Sequence, residues 1–498
     1  MMRRRRWAGW FVWSLLVAAC GGSEPPAGQS VRSVELSVDV TSSRQTLVGF
    51  GVDGQPRNWG SAGVAVAPAL QRLVDEAGAS MWRVEIDRGL SDWEQDNDDA
   101  DPNHFNWDAY DRVFSSDPQF VKFWAYVREL NALGVDDIVF AAHGHAPEWM
   151  GGSIVAPESY DEFVESAVAF LIFATERIAG PKPRFRWFSP FNEVDQGGST
   201  EGIGLDPESA AALTARLAAR LEAEVAAHPQ LAAVRLVVPE ATWAVGTAPG
   251  DDDNYRGRIS ADPASLAWID AFAHHSYPPA GDVDYTGATP PEWLSETNGF
   301  TGEDGTCGAT TWEDALVLYD GTLDALRAGV EAVMVWTDYD APHVHQNDEW
   351  QTYGLLATSL PGIDPCAAYR GGEVPGDELL DQASYAPKAT YHAFRHLAAE
   401  VPPGSTVVLT DTDVDDLDSI AFLTPAGGLV VTGHNRSART LEITMTITPG
   451  LNPPAAGSIS TADAVWVPAT IATFDPSTLT LTVPPHSLFT VWPSRADA

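Results

Sequence analysis

The sequence predicts an α/β fold, a (β/α)₈ TIM barrel with a C-terminal antiparallel β-sandwich domain. Three observations carry that reading. Short, nearly continuous apolar runs alternate with helical stretches through residues 46–402, the pattern of parallel strands buried on both faces. Two of these runs stop abruptly on a carboxylate, at Trp187-Phe188-Ser189-Pro190-Phe191-Asn192-Glu193 and at Trp293-Leu294-Ser295-Glu296. In a barrel, the C-terminal strand ends face the mouth where chemistry occurs. From about Val407 the pattern changes to apolar/polar alternation broken by turns, as in Leu441-Glu442-Ile443-Thr444-Met445-Thr446-Ile447 and Leu479-Thr480-Leu481-Thr482-Val483.

In chain order, Arg3 to Arg6 and the apolar Phe11 to Ala19 read as a signal peptide over 1–19, too short to span a bilayer. Val17-Ala18-Ala19-Cys20 resembles the lipobox of bacterial lipoproteins. Cys20 is therefore the expected lipidation site and mature N-terminus, with residues 20–33 as a flexible tether. The expected location is the bacterial cell envelope, lipid-anchored at the outer membrane or facing the periplasm, or else the exterior after plain secretion. Residues 34–45, alternating from Val34 to Val40, predict a strand that completes the sandwich of residues 403–498.

The barrel strands follow in order. Leu47 to Asp53 is the first, with Gly49 and Gly51 where the backbone passes close to its neighbours. Met81 to Ile86 is the second and Ile138 to Ala142 the third, the latter preceded by a helix from Phe120 to Leu133 that stops at Gly134. A helix from Tyr160 to about Ile178 precedes the fourth strand, which starts near Phe185. Asp206-Pro207 then caps and opens another helix. Val234 to Val238, Ala271 to His275, Trp293 to Ser295 and Ala332 to Trp336 complete the eight. The proline-rich stretch between the sixth and seventh predicts a reduced or missing crossover helix.

The formal charge of −40 becomes −44 once the four signal-peptide arginines are removed, which excludes nucleic acid as a natural partner. Besides Cys20 the chain has Cys307 and Cys366, expected to form a disulfide outside the reducing cytosol.

Asn192-Glu193 after the fourth strand and Trp293-Leu294-Ser295-Glu296 at the seventh resemble the clan A retaining glycoside hydrolases, most closely family 30. Gly49-Phe50-Gly51, Ala146-Pro147-Glu148-Trp149-Met150 and Pro484-Pro485-His486-Ser487-Leu488-Phe489-Thr490 add to the resemblance. It implies a retaining β-glycoside hydrolase that cleaves a polysaccharide, oligosaccharide or glycoconjugate without a cofactor or metal, most simply as a monomer. The resemblance makes Glu193 the general acid/base, Glu296 the nucleophile and Asn192 the partner of the sugar 2-hydroxyl. Arg83 and Tyr277 would support the nucleophile, with His275 beside them. Of the 18 tryptophans, Trp336 and Trp149 are expected to face the cleft and stack on sugar. Glu240, Glu85 and Asp87 lack the Asn-Glu or Trp-x-x-Glu context and are expected as supporting groups or loop anchors.

Other classes remain open at this point. A sugar-binding surface lipoprotein would keep the cleft without turnover. A metal-dependent barrel hydrolase would gather His143, His145, His274 and His275 around an ion. Asp96 to Asp101 offers acidic ligands for calcium but lacks the glycine and distal glutamate of an EF-hand loop, so a solvated acidic loop is expected there.

Overall fold

The computed structural model describes residues 31–56, 66–86, 94, 97, 99, 101–197, 202–299, 311–341, 352–360, 382–475 and 477–494. Its first strand, β1 (Arg32–Thr46), belongs to the C-terminal sheet. The barrel is β2 (Gly49–Gly54), β3 (Met81–Ile86), β4 (Ile138–Ala142), β5 (Trp187–Ser189), β6 (Arg235–Ala241), β7 (Ile269–Ser276), β8 (Glu292–Thr297) and β9 (Ala332–Val335), closed in that order. All neighbouring pairs are parallel, and β9 returns to β2 with Gly49 beside Ala332.

A layer of Met81, Val139, Trp187, Val237, Ala271, Ala273, Trp293, Ala332 and Met334 fills the interior, where Trp187 and Trp293 meet edge to face at 4.9 Å. The glycines of β2 make room for it. A Cβ on Gly51 would lie 2.5 Å from the Met81 side chain and 2.8 Å from that of Met334, so any side chain there would displace the packed interior.

The outer helices are α1 (Ala67–Asp75), α2 (Trp107–Ser116), α3 (Pro118–Ala132), α4 (Tyr160–Ile172), α5 (Pro207–Glu224), the short α6 (Tyr255–Ser260) and α7 (Pro263–Leu266), α8 (Trp312–Arg327) and α9 (Ala389–Ala398). Local signals set their ends. Asp206 accepts from the Ser209 N–H at 2.7 Å with Pro207 in the first turn of α5, and Gly134 takes φ +89° just past α3. One expectation needs adjusting: the helix from Tyr160 ends at Ile172 and continues to Arg177 as a wider π-type turn. As the proline-rich stretch predicts, no helix links β7 to β8.

After a two-stranded ribbon of β10 (Leu356–Ser359) and β11 (Ser384–Pro387), the C-terminal domain follows as β12 (Thr406–Thr412), β13 (Leu417–Leu423), β14 (Leu429–Asn435), β15 (Leu441–Ile447), β16 (Ala456–Ser460), β17 (Val467–Pro468), β18 (Ile471–Asp475), β19 (Thr478–Val483) and β20 (Ser487–Trp492). Their order is β17-β16-β20-β14-β13-β12-β1-β15-β19-β18, so β1 occupies the middle of the series. Its alternation buries Val34, Leu36 and Val38 against Ile443, Met445 and Leu481. β1 runs antiparallel to β12 but parallel to β15, which corrects the all-antiparallel expectation: a strand arriving from outside the domain carries no hairpin to set its direction.

α8 and α9 dock this domain on the barrel. Tyr319 reaches Thr432 at 2.6 Å, and buried His396 bridges Thr490 and Ser460, each at 2.8 Å. Burial, with the charges of His392 and Arg395, pushes the His396 imidazole down to about 3. Above about pH 6.5 the ring is neutral in the folded and the unfolded chain. As the pH falls below that, the unfolded chain takes up a proton that folded His396 refuses, so stability declines from about pH 6.5 towards 3, by about 2 kcal/mol at pH 5. His396→Gln is expected to flatten the fall of the thermal midpoint on acidification. An equally steep fall in the variant and the parent would remove His396 as its cause.

Candidate active site

Glu193 and Glu296 reach the mouth by departures from regular strand geometry. β5 ends at Ser189, and the chain then turns through Asn192 to Glu193, which sits at φ +46°. The returning loop holds this turn through Leu205 N–H to Val194 O at 2.8 Å. Gly202 presses on it so closely that a Cβ would lie 1.8 Å from the Asn192 oxygen. In β8 the register slips between Leu294 and Thr297, as it does on β7 between His274 and His275. Successive residues of a regular strand point to opposite faces, but these irregularities let Ser295 and Glu296 reach the same cluster.

Arg83 is the hub of that cluster and is fully buried. Its Nη1 donates to Glu296 Oε2 at 2.9 Å and Asp53 Oδ1 at 3.2 Å, and its Nη2 donates to Asn192 Oδ1. Its Nε lies 3.5 Å from Glu240 Oε1, and Nη1 lies 3.8 Å from Glu85. Tyr277 donates its hydroxyl to Glu296 Oε1 at 2.6 Å, so donors grip both oxygens of that carboxylate. His275 stands between two carboxylates, with Nδ1 3.2 Å from Glu193 and Nε2 3.0 Å from Glu240, which also accepts from Ser295.

The electrostatics divide the cluster. Burial would raise Glu240, but the Arg83 charge and the bonds from His275 and Ser295 bring its carboxyl down to about 2. Burial opposes a charged His275, yet the Glu296 charge and the bonds to Glu193 and Glu240 hold the imidazole well above its ordinary value. Asp53 goes the other way: burial, against the pull of Arg83 and reinforced by Glu296 and Glu85, pushes it well above the carboxylate range. Burial and then the Glu296 charge push the Tyr277 hydroxyl up, keeping it a neutral donor. The side chains of Arg83, Glu240 and His275 are wholly enclosed, whereas those of Glu193 and Glu296 are 13% and 10% exposed. The two glutamates are thus where a substrate could touch the cluster.

One oxygen of Glu193, one of Glu296 and a ring nitrogen of His275 lie within 4.8 Å of one another. This is the group among the described residues close enough to share a metal ion, and both ring nitrogens of His275 already face carboxylates of the protein, Glu193 and Glu240. The four histidines do not assemble. His274 turns away from the mouth, its Nδ1 2.7 Å from Glu292 and its ring stacked 5.5 Å from Tyr285.

The remaining predicted positions sort as follows. Trp336 directly follows the last barrel strand, its Nε1 on Glu85 at 3.1 Å, largely buried near the mouth. Trp149 packs on the outer hydrophobic cluster and donates to the Glu94 carbonyl at 3.0 Å. In the acidic loop, Asp99 accepts from Asp101 N–H and lies 2.7 Å from His104, so it serves the loop's own donors. Cys20, Cys307, Cys366 and Asp87 lie outside the described residues, as do Asp96 and Asp98. Asp53, buried against Arg83, escaped the sequence reading as a site residue. It carried the same signal as Glu193, a carboxylate at the end of an apolar strand.

A closed parallel barrel with two glutamates converging at its mouth, joined to a β-sheet domain, is an architecture this chain shares with solved glycoside hydrolases. Residues 404–491 match the Glycosyl hydrolase family 30 beta sandwich domain, which is the family within that class that the sequence resembles. Solved structures agree on the fold. Xyn30A of Clostridium acetobutylicum, a xylanase of glycoside hydrolase family 30 subfamily 8, is 14% identical with a TM-score of 0.62, covering 92% of this chain and 99% of its own. The endo-beta1,6-glucanase BT3312 is 15% identical with a TM-score of 0.61, covering 93% and 94%. AbfB of Bifidobacterium longum, a family 51 alpha-L-arabinofuranosidase, is 12% identical with a TM-score of 0.58, covering 93% and 100%. At these identities the likeness speaks to fold alone. No curated protein sequence matches the chain.

Proposed function

We propose that this chain is a retaining β-glycoside hydrolase acting on a β-linked polysaccharide, oligosaccharide or glycoconjugate. The observation that carries the proposal is the approach of Glu193 and Glu296 to within 4.8 Å, with Glu296 clasped by Arg83 and Tyr277. Retaining enzymes hold their carboxyl groups about 5 to 5.5 Å apart, whereas inverting ones leave room for a water between them. Glu296 attacks the anomeric carbon as the glycosidic bond breaks, and Glu193 gives its proton to the departing oxygen. Water then attacks the glycosyl-enzyme, losing its proton to Glu193, and Glu296 leaves as a carboxylate. Arg83 holds the Asn192 carbonyl oxygen, which turns the amide nitrogen to the other side, where it serves the sugar 2-hydroxyl. Trp336 supplies a stacking face beside them. The β-linkage is supported by neighbours named as a xylanase and an endo-β1,6-glucanase. The reading is tested by following an aryl β-glycoside by NMR: the β-anomer should form first, and an α-anomer as first product would overturn it.

We also propose that the protein is held at the bacterial cell envelope through acylated Cys20. Stable anchoring needs more than one acyl chain, so mass spectrometry should find a multiply acylated N-terminal cysteine. An unmodified N-terminus on soluble protein would exclude the anchor.

A further inference from the structure

We infer that Trp243 is the platform for the sugar on the leaving-group side of the cleft, an inference that rests on the glycosidase reading and extends it. β6 delivers Glu240 into the cluster, and Glu240 takes φ +59° as the chain turns outward. Two residues on, the Thr242 N–H donates to the Asp195 carboxylate at 2.7 Å. Asp195 follows Glu193 by two residues, so the next residue, Trp243, stands beside the loop that carries the proposed acid. The acid meets the departing oxygen, and this side of the mouth therefore receives the departing sugar.

Trp243 is 59% exposed, while every other described tryptophan is buried or half-buried. Its indole has no ring, cation or hydrogen-bond partner among the described residues, leaving a face for the C–H side of a pyranose and an N–H for a hydroxyl. The segment beneath it is fixed. Gly246 N–H donates to the Trp243 carbonyl at 2.8 Å, the Tyr285 hydroxyl to the Ala244 carbonyl at 2.8 Å, and the Asn254 amide to the Val245 carbonyl at 3.3 Å. A ring held out to water on a pinned backbone loses little freedom when a ligand covers it.

The test compares two substrates of the same glycone: the β-linked oligosaccharide that the wild type cleaves best, and the corresponding β-glycosyl fluoride, which has no leaving-group sugar. Trp243→Ala should lower kcat/KM for the oligosaccharide about tenfold and leave the fluoride unchanged, and Trp243→Tyr should restore much of the loss. A wild type active on both, with a Trp243→Ala variant that loses nothing or loses equally on the two, overturns this inference alone. A wild type inert towards both overturns the glycosidase reading and this inference with it.

Discussion

Glu296→Ala is expected to abolish turnover, with a loss on the order of 10⁴ or more, because no glycosyl-enzyme can form without the attacking carboxylate. Azide entering the space left by the side chain should restore cleavage of a substrate with a good leaving group. Attack from the Glu296 side of the ring gives the α-glycosyl azide. Glu193→Ala behaves differently. A good leaving group needs little protonation, so the first step survives while the second stalls for want of a base, with a loss of roughly 10² to 10⁴. Azide then displaces Glu296 from the opposite face and gives the β-glycosyl azide. Chromatography and NMR of the two products decide the matter. The same anomer from both variants, or activity lost to a chelator instead of to either substitution, would reject the assignment.

The second large effect is expected at Arg83. Its guanidinium faces Asp53, Glu85, Glu240 and Glu296 with no exposure to water. Arg83→Leu leaves the ionised members of this set buried with His275 as their nearest cation. Breaking a buried pair from one side costs roughly 3 to 5 kcal/mol, a large part of a typical folding free energy of about 5 to 15 kcal/mol. The leucine variant should melt well below the parent or fail to accumulate. Arg83→Lys keeps the charge but has one nitrogen in place of a fork, so it cannot hold Glu296, Asn192 and Glu240 together. It should fold, bind substrate and turn over slowly. A leucine variant with an unchanged thermal midpoint, or a lysine variant with the parent kcat, would refute the account of Arg83 as the hub.

Most of the barrel was legible because its strands read as apolar runs of the right length, and the runs ending in Glu193 and Glu296 marked the mouth. The supporting residues were harder to read. Arg83 and Tyr277 were placed by resemblance, whereas the partnership of Glu240 with His275 depends on a register slip and a positive φ that leave no periodic trace. Asp53 looked like any strand-end acid until Arg83 stood beside it. Trp149, chosen for its place after β4, is held by the packing of the outer cluster, because a loop position does not say which way a ring turns. The parallel pairing of β1 with β15 was likewise hidden, since alternation shows that a strand is half-buried but not who its neighbours are.

The place of β1 bears on how the molecule is made. Its antiparallel partner begins at Thr406 and its parallel partner at Leu441, so the whole barrel is synthesised between β1 and either neighbour. At ribosomal speeds of about 5 to 20 residues per second, that interval is tens of seconds. Throughout it, the segment carrying Val34, Leu36 and Val38 lacks both of the strands that pair with it in the folded sheet. The second domain can be completed only around a segment made at the start of the described chain. Completion of the sheet therefore ties together the earliest and latest described strands.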